Sequence, residues 1–323
     1  MYCPRLDHFV RLNSNGTLSR CGHMIQAPEF VSLEEMDQSP WLHNSKSSFT
    51  KGLFPRECKR CEQTEQINGT SIRLNAIEFD KKQTREDYLT VGGVLDNVCN
   101  SACQTCNENL STKIGSLVSR EYPRIDNSDY FWKLPLQRVV HLDINGGEPS
   151  ASKKYRHILE NIPLSVASVR INTNCSTVIP EIDILLNQGI HMTVTVSLDG
   201  IGRKHDYIRW PIAWENFERN LMTYKRMGIQ ELNTWTTVSA LNIGDLKNIF
   251  SYVQQHNLKN SWALLENPSV LSVKHSNHLT RTADVPDQLK SIVAQGQDNT
   301  VELQLWTTAQ DQLRGIKLWD YFQ

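Results

Sequence analysis

The chain has 323 residues, and its 34 Lys and Arg stand against 35 Asp and Glu for a formal net charge of -1. That balance leaves no global basic field to draw nucleic acid, so local clusters such as Lys59-Arg60, Lys81-Lys82 and Lys153-Lys154 read as solvated faces. No stretch approaches a membrane span, and Pro4, Arg5 and Asp7 interrupt the apolar run that a signal peptide needs, which predicts a chain that stays in the cytoplasm. In that reducing setting the eight cysteines are better read as metal ligands than as disulfides.

In chain order, Phe9 to Arg20 reads as two strands joined at Asn15-Gly16, a hairpin that would bring the flanking Cys3 and Cys21 together. Cys58 and Cys61 form a CxxC after Pro55, followed by Glu62 and Glu65. Four cysteines can close a coordination shell, which suits an electron-transfer cluster or a structural zinc ion, and spacing alone does not choose the metal. An apolar stretch, Tyr88 to Val91 and then Val94 to Val98, leads into Cys99, Cys103 and Cys106, spaced C-x3-C-x2-C. Three thiolates are an incomplete ligand set for a four-iron cluster. One iron keeps an open site, the arrangement needed to bind and reduce a small molecule.

The apolar run from Val139 ends in Gly146-Gly147-Glu148-Pro149, where glycines permit close approach of the backbone to a ligand and a strand-end carboxylate can accept hydrogen bonds from an ammonium. Val166 to Ile171 reads as the third strand, ending in Asn172-Thr173-Asn174, and Met192 to Leu198 as the fourth, ending in Asp199-Gly200. Trp214 to Met227 has Phe217, Leu221 and Tyr224 at helical spacing. Leu232 to Ala240 is the fifth strand, Ile243 to Gln255 a helix, and Trp262 to Leu265 the sixth strand, closed by Pro268. Six strand-helix units predict an α/β fold, a partial (β/α)6 TIM-like barrel, with a small N-terminal cysteine-rich β-hairpin and helix domain. Ligand groups in such a barrel cluster at the strand C-termini. Asn172, Thr173, Ser197 and Asp199 are therefore candidates there, with Arg209 able to pair with a carboxylate. Cys175 is left over and is expected to be a buried, inert thiol. From Ser276 onward a helix over Val285 to Ala294, a polar stretch and the aromatics Trp306, Trp319, Tyr321 and Phe322 predict an extension that packs on the barrel or covers its mouth. The expected division is 1–84, 85–275 and 276–323.

The C-x3-C-x2-C run and the Gly-Gly-Glu-Pro turn resemble the signatures of the radical S-adenosylmethionine enzymes. The resemblance covers roughly residues 1 to 270, with Asp199-Gly200 and the Gly202 to Arg209 loop similar to the family's fourth strand end. It implies a 4Fe-4S cluster on Cys99, Cys103 and Cys106, and S-adenosylmethionine whose amino group is held by Gly146, Gly147 and Glu148. Asn172, Thr173, Ser197, Asp199 and Arg209 would complete the cofactor site. The region with Val31 to Glu35, Gly52 and Pro55 to Glu65 resembles a twitch or SPASM module, which implies a second, auxiliary 4Fe-4S cluster on Cys3, Cys21, Cys58 and Cys61. In most relatives that module follows the barrel, whereas here it precedes it. The order, with Ser71-Ile-Arg73 and Ser111-Thr112, resembles a group of twitch-domain radical enzymes. The chain departs from many relatives in carrying Thr105 where an aromatic packs on adenine, so that packing is expected from elsewhere, such as Leu265. The implied partners are an external one-electron reductant of flavodoxin or ferredoxin type and a peptide or small-molecule substrate. The rival readings are an RNA-modifying radical enzyme and a non-catalytic zinc or iron-sulfur binding protein.

Overall fold

The computed structural model describes residues 1–118, 121–275 and 285–321, apart from the side chains of Gln288 and Trp319. Of the expected extension, Ser276, the stretch up to residue 284 and Phe322 lie outside the described residues. Among the described residues no helix is long and apolar enough to cross a membrane. The chain forms two compact units, Met1–Asp96 with Ile125–Gly146 and His157–Arg170, and Asn97–Arg124 with Gly147–Arg156 and Ile171–Gln323.

In the first unit β1 (Phe9–Leu12) pairs antiparallel with β2 (Leu18–Ser19) across a turn in which Gly16 adopts φ 80°, a conformation that favours glycine. The hairpin is the edge of a larger sheet. β1 runs parallel to β3 (Leu89–Val94), which runs parallel to β4 (Val139–Asn145), and β4 pairs with the start of β5 (Ser168–Thr173). Alternation on β4 buries Val140, Leu142 and Ile144, and each such apolar side chain contributes about 1.5–3 kcal/mol by leaving water.

Several strand bounds differ from the sequence reading: the strand read as Leu232 to Ala240 runs Glu231–Val238, and the one read as Trp262 to Leu265 runs Lys259–Leu264. β3 is one strand ending at Val94, because Gly93 (φ 100°) lets the Leu12 backbone pass where a side chain would stand and Leu95 N–H donates to the Asn145 carbonyl at 2.9 Å. Residues 95 to 98 then leave the strand instead of continuing it. β5 starts two residues later than expected, since Val166 N–H is already engaged with the Pro163 carbonyl in a turn.

In the second unit the end of β5 is followed in sheet order by β6 (His191–Ser197), β7 (Glu231–Val238) and β8 (Lys259–Leu264), all parallel from β6 to β8. From β3 to β8 each strand is followed by a helix, which is the expected (β/α)6 order. Met192, Val194 and Val196 are fully buried on β6, and helix Trp214–Arg226 buries Phe217, Leu221 and Tyr224, the three positions its spacing singled out. The stretch read as polar after Ala294 contains a 15-residue helix, Thr300–Arg314. Its polar composition hides an apolar edge. Leu303 and Trp306, one turn apart, pack with Leu318 and Tyr321 on Tyr207, Ile208, Leu265 and Leu271. The described part of the extension thus packs within the second unit, and Leu265 lies in that cluster.

Candidate functional site

The three barrel cysteines lie on one irregular loop of the second unit. Cys103 is buried, Cys99 and Cys106 half-buried, and the charges of these thiols act on one another. Burial pushes the Cys99 thiol up to about 11 and Cys106 to about 12, so both are protonated at neutral pH unless a cation draws the proton off. Short contacts set the loop. Thr112 Oγ1 accepts from Cys99 N–H at 3.1 Å, and Ser111 donates to the Ser101 carbonyl at 2.6 Å. Arg314, buried at the end of helix Thr300–Arg314, donates to the Ala102 carbonyl at 2.8 Å and to the Cys103 carbonyl at 3.4 Å. This arginine from the extension was not among the sequence candidates, because nothing local in its helix marks it.

Gly147 owes its identity to the approach of this loop. A Cβ there would stand 2.1 Å from the Val98 carbonyl oxygen, directly before Cys99, while at Gly146 it would stand 2.4 Å from the Asp96 oxygen. Both glycines thus make room for the chain's own backbone. Gly147→Ala is expected to displace the residue before Cys99 and to cost roughly 1–3 kcal/mol, read as a lowered melting midpoint with poorer cluster retention.

Glu148 follows, 2 % exposed. Its carboxylate accepts from Thr173 Oγ1 at 2.7 Å, Asn174 N–H at 2.6 Å and Ser150 N–H at 3.1 Å. Burial raises its pKa while these donors pull it down, and its charge in turn raises the Cys99 thiol. Asn174 also donates to Ser101 Oγ at 2.6 Å and Asn100 Oδ1 at 2.9 Å, which ties the Glu148 site to the cysteine loop. The sequence signal for Asn174 was present in Asn172-Thr173-Asn174, yet the outer asparagine was the one passed over. Asn172 is exposed, and Ser197 is half-buried at the end of β6.

Asp199 and Arg209 form a second buried node. The guanidinium donates to the Asp199 carboxylate at 2.9 Å, Thr237 N–H donates to the same carboxylate at 2.7 Å, and Asn242 holds the Asp199 carbonyl at 3.0 Å. Asp199 is fully buried, and the Cys103 and Asp199 charges hold Arg209 protonated against its burial. Arg209 also pulls the Cys103 and Cys106 thiols down, so one cation faces the acid and the cysteine loop together. Cys175 is buried at φ 60° with its thiol pushed well up by desolvation, the chemistry of an inert side chain.

Within the first unit Cys3, Cys21, Cys58 and Cys61 line one small space, each 9 % exposed or less. Burial pushes Cys3 up to about 12 and raises Cys58 and Cys61. Arg5 eases the charge on Cys3, and Arg73 does so on Cys61. Arg73 is itself fixed by Glu65 (Nε to Oε1, 2.9 Å) and the Tyr2 carbonyl (2.9 Å). All eight cysteines are free thiols, and among the described residues no group of three or more His, Cys, Asp or Glu is placed to hold a single metal ion. Sulfur-only donor sets suit soft centres, a zinc ion or an iron-sulfur cluster alike, and in a cluster each thiolate takes its own iron.

No family model matches the chain. It is 25 % identical over 153 residues to the mycofactocin maturase MftC of Mycolicibacterium smegmatis, a match that covers 47 % of this chain and only 38 % of the maturase. Among solved structures, Streptococcus suis SuiB bound to S-adenosylmethionine is 15 % identical with a TM-score of 0.44, covering 85 % of this chain and 67 % of SuiB. Native anSMEcpe with bound AdoMet is 14 % identical with a TM-score of 0.42, covering 55 % and 52 %. The chain is thus similar to a maturase over about half of its own length, and its cysteine run resembles the signature of the radical S-adenosylmethionine enzymes.

Proposed function

We propose that this chain is a radical S-adenosylmethionine enzyme acting on a peptide or protein side chain, with Cys99, Cys103 and Cys106 as ligands of a 4Fe-4S cluster. One observation carries the reading: the buried Glu148 carboxylate lies in the field of the Cys99 thiol and is held by Thr173 and Asn174 at the end of β5. When bound, the cluster and S-adenosylmethionine would supply reductive carbon-sulfur cleavage to a 5'-deoxyadenosyl radical that abstracts a substrate hydrogen. Glu148 would accept the ammonium of S-adenosylmethionine. Arg209, paired with Asp199, would present its remaining N–H groups to a carboxylate. Thr173, Asn172 and Ser197 would line the rest of the cofactor site, with Gly146 and Gly147 shaping the turn before it.

Cys3, Cys21, Cys58 and Cys61 would hold an auxiliary 4Fe-4S cluster in a module of residues 1–84, ahead of a barrel over 85–275 and an extension over 276–323. Arg5 and Arg73 offset the negative charge that four thiolates bring. The external donor would be a flavodoxin or ferredoxin, and the setting cytoplasmic. Likeness to a maturase favours a peptide over a free small molecule.

The test is anaerobic reconstitution followed by reduction, with 5'-deoxyadenosine and methionine as the readout; no cleavage by a fully loaded protein would end the proposal. Binding should also follow pH. The carboxylate form of Glu148 is the one that takes an ammonium, and burial raises its pKa, so affinity is expected to fall with falling pH earlier than for an exposed glutamate. Glu148→Gln should weaken binding and flatten that dependence, read by calorimetry across pH. For the auxiliary site, Cys58→Ala is expected to abolish product formation while leaving 5'-deoxyadenosine production intact. Unchanged turnover would remove its role as electron acceptor, and zinc in place of iron would make it structural.

A further inference from the structure

The first unit carries a partly open cavity of about 190 Å³, smaller than the roughly 300–1,000 Å³ of drug-sized pockets and close to the size of one amino-acid side chain. The strand register builds it. Phe9, Thr90 and His141 stand side by side across β1, β3 and β4, and strand alternation puts Asp143 on the same face as His141. Arg170 of β5 and Arg5 complete the polar lining, with Phe79 of helix Ile72–Asp80 closing one side.

The charges in this lining do not cancel. His8 and His141 are already engaged, by the Tyr88 carbonyl at 3.1 Å and Ser168 Oγ at 2.7 Å. Arg5 lies over the Phe9 ring at 3.5 Å, and its buried Nε has no hydrogen-bond partner. The Arg170 side chain takes part in no hydrogen bond or ion pair among the described residues. Asp143 lies in the field of both guanidinium groups, yet neither is bonded to it. Arg5 also answers the Cys3 thiol, but its unpartnered Nε and the Arg170 guanidinium still offer donors, beside the single acid Asp143, to a partly open space. A carboxylate matches those donors and the planar fork of arginine.

We infer that this cavity binds a carboxylate group about the size of one amino-acid side chain, with Arg5 and Arg170 as its donors. Arg5 and Ile72 line both this cavity and the space that holds Cys3, Cys21, Cys58 and Cys61. A bound carboxylate therefore sits one side chain away from the four-cysteine centre. Asp143 keeps the pocket from being a general anion trap, since it opposes a second negative charge.

The test uses the whole reconstituted chain without S-adenosylmethionine or reductant, so its failure leaves the radical reading standing, and failure of cofactor cleavage leaves this inference standing. Saturation-transfer NMR is run with glutarate against glutaramide, and with acetyl-Gly-Glu-Gly-amide against its Gln counterpart. Carboxylate probes are expected to bind and amides not. Arg170→Gln, on an exposed strand residue, should weaken carboxylate binding at least tenfold with an unchanged melting midpoint. Arg170→Lys should recover part of it. Binding of glutarate but not of the peptide supports the inference and names a free carboxylic acid as the source; binding of the peptide names an acidic side chain. Equal binding of acid and amide, indifference to Arg170→Gln, or no carboxylate bound up to about 20 mM overturns it.

Discussion

Changing Cys99, Cys103 and Cys106 together to Ala is expected to lower iron from about eight to about four atoms per reconstituted chain and to abolish S-adenosylmethionine cleavage. On the proposed reading the four that remain would be held by Cys3, Cys21, Cys58 and Cys61, which share the first unit and line a space of their own. Folding should survive the change. The three thiols lie on one irregular loop whose backbone is fixed by Thr112, Ser111 and Arg314. Iron and sulfide analysis with the melting curve reads both parts. A fall from about four irons to none, with zinc retained, would instead make the N-terminal site structural.

Asp199→Ala should be the most damaging single substitution for stability, at roughly 3–5 kcal/mol, because it strands a buried guanidinium. Arg209 would lose its carboxylate partner, and Thr237 N–H would lose its acceptor. Asp199→Asn keeps an acceptor for Thr237 but removes the charge, and should cost less. If the pair acts mainly through mutual neutralisation, Asp199→Leu combined with Arg209→Met will destabilise by clearly less than the two single changes added together. Denaturant unfolding midpoints decide this. Additive costs would mean that each residue is held by its other neighbours instead.

The two nodes read differently from sequence for a physical reason. Cys99, Cys103 and Cys106 stood out as candidates because spacing along a few residues puts three thiols on one loop, and Glu148 because it follows two glycines after an apolar strand. Thr173 and Asp199 were legible as strand ends, since parallel strands deliver their C-termini to one edge. Asn100, Asn174 and Thr112 stand within the same segments, but their roles come from hydrogen bonds across loops that periodicity does not record. Gly146 and Gly147 were recognised as positions of close approach, while the partner turned out to be the Asp96 to Val98 backbone of the same chain.

By itself the sequence determined the parallel strand-helix order, both cysteine sets and the buried faces of β6 and helix Trp214–Arg226, because each depends on short-range pattern: period two in strands, 3.6 in helices, and ligand spacing in loops. Only the tertiary structure decided that the N-terminal hairpin pairs with β3, and that Arg314 reaches the cysteine loop across 212 residues of chain. The same holds for Arg5 and Arg170, which share a cavity with Asp143. These depend on which distant groups are brought together when water is excluded, and burial, charge pairing and backbone clash act between residues whose separation along the chain carries no signal.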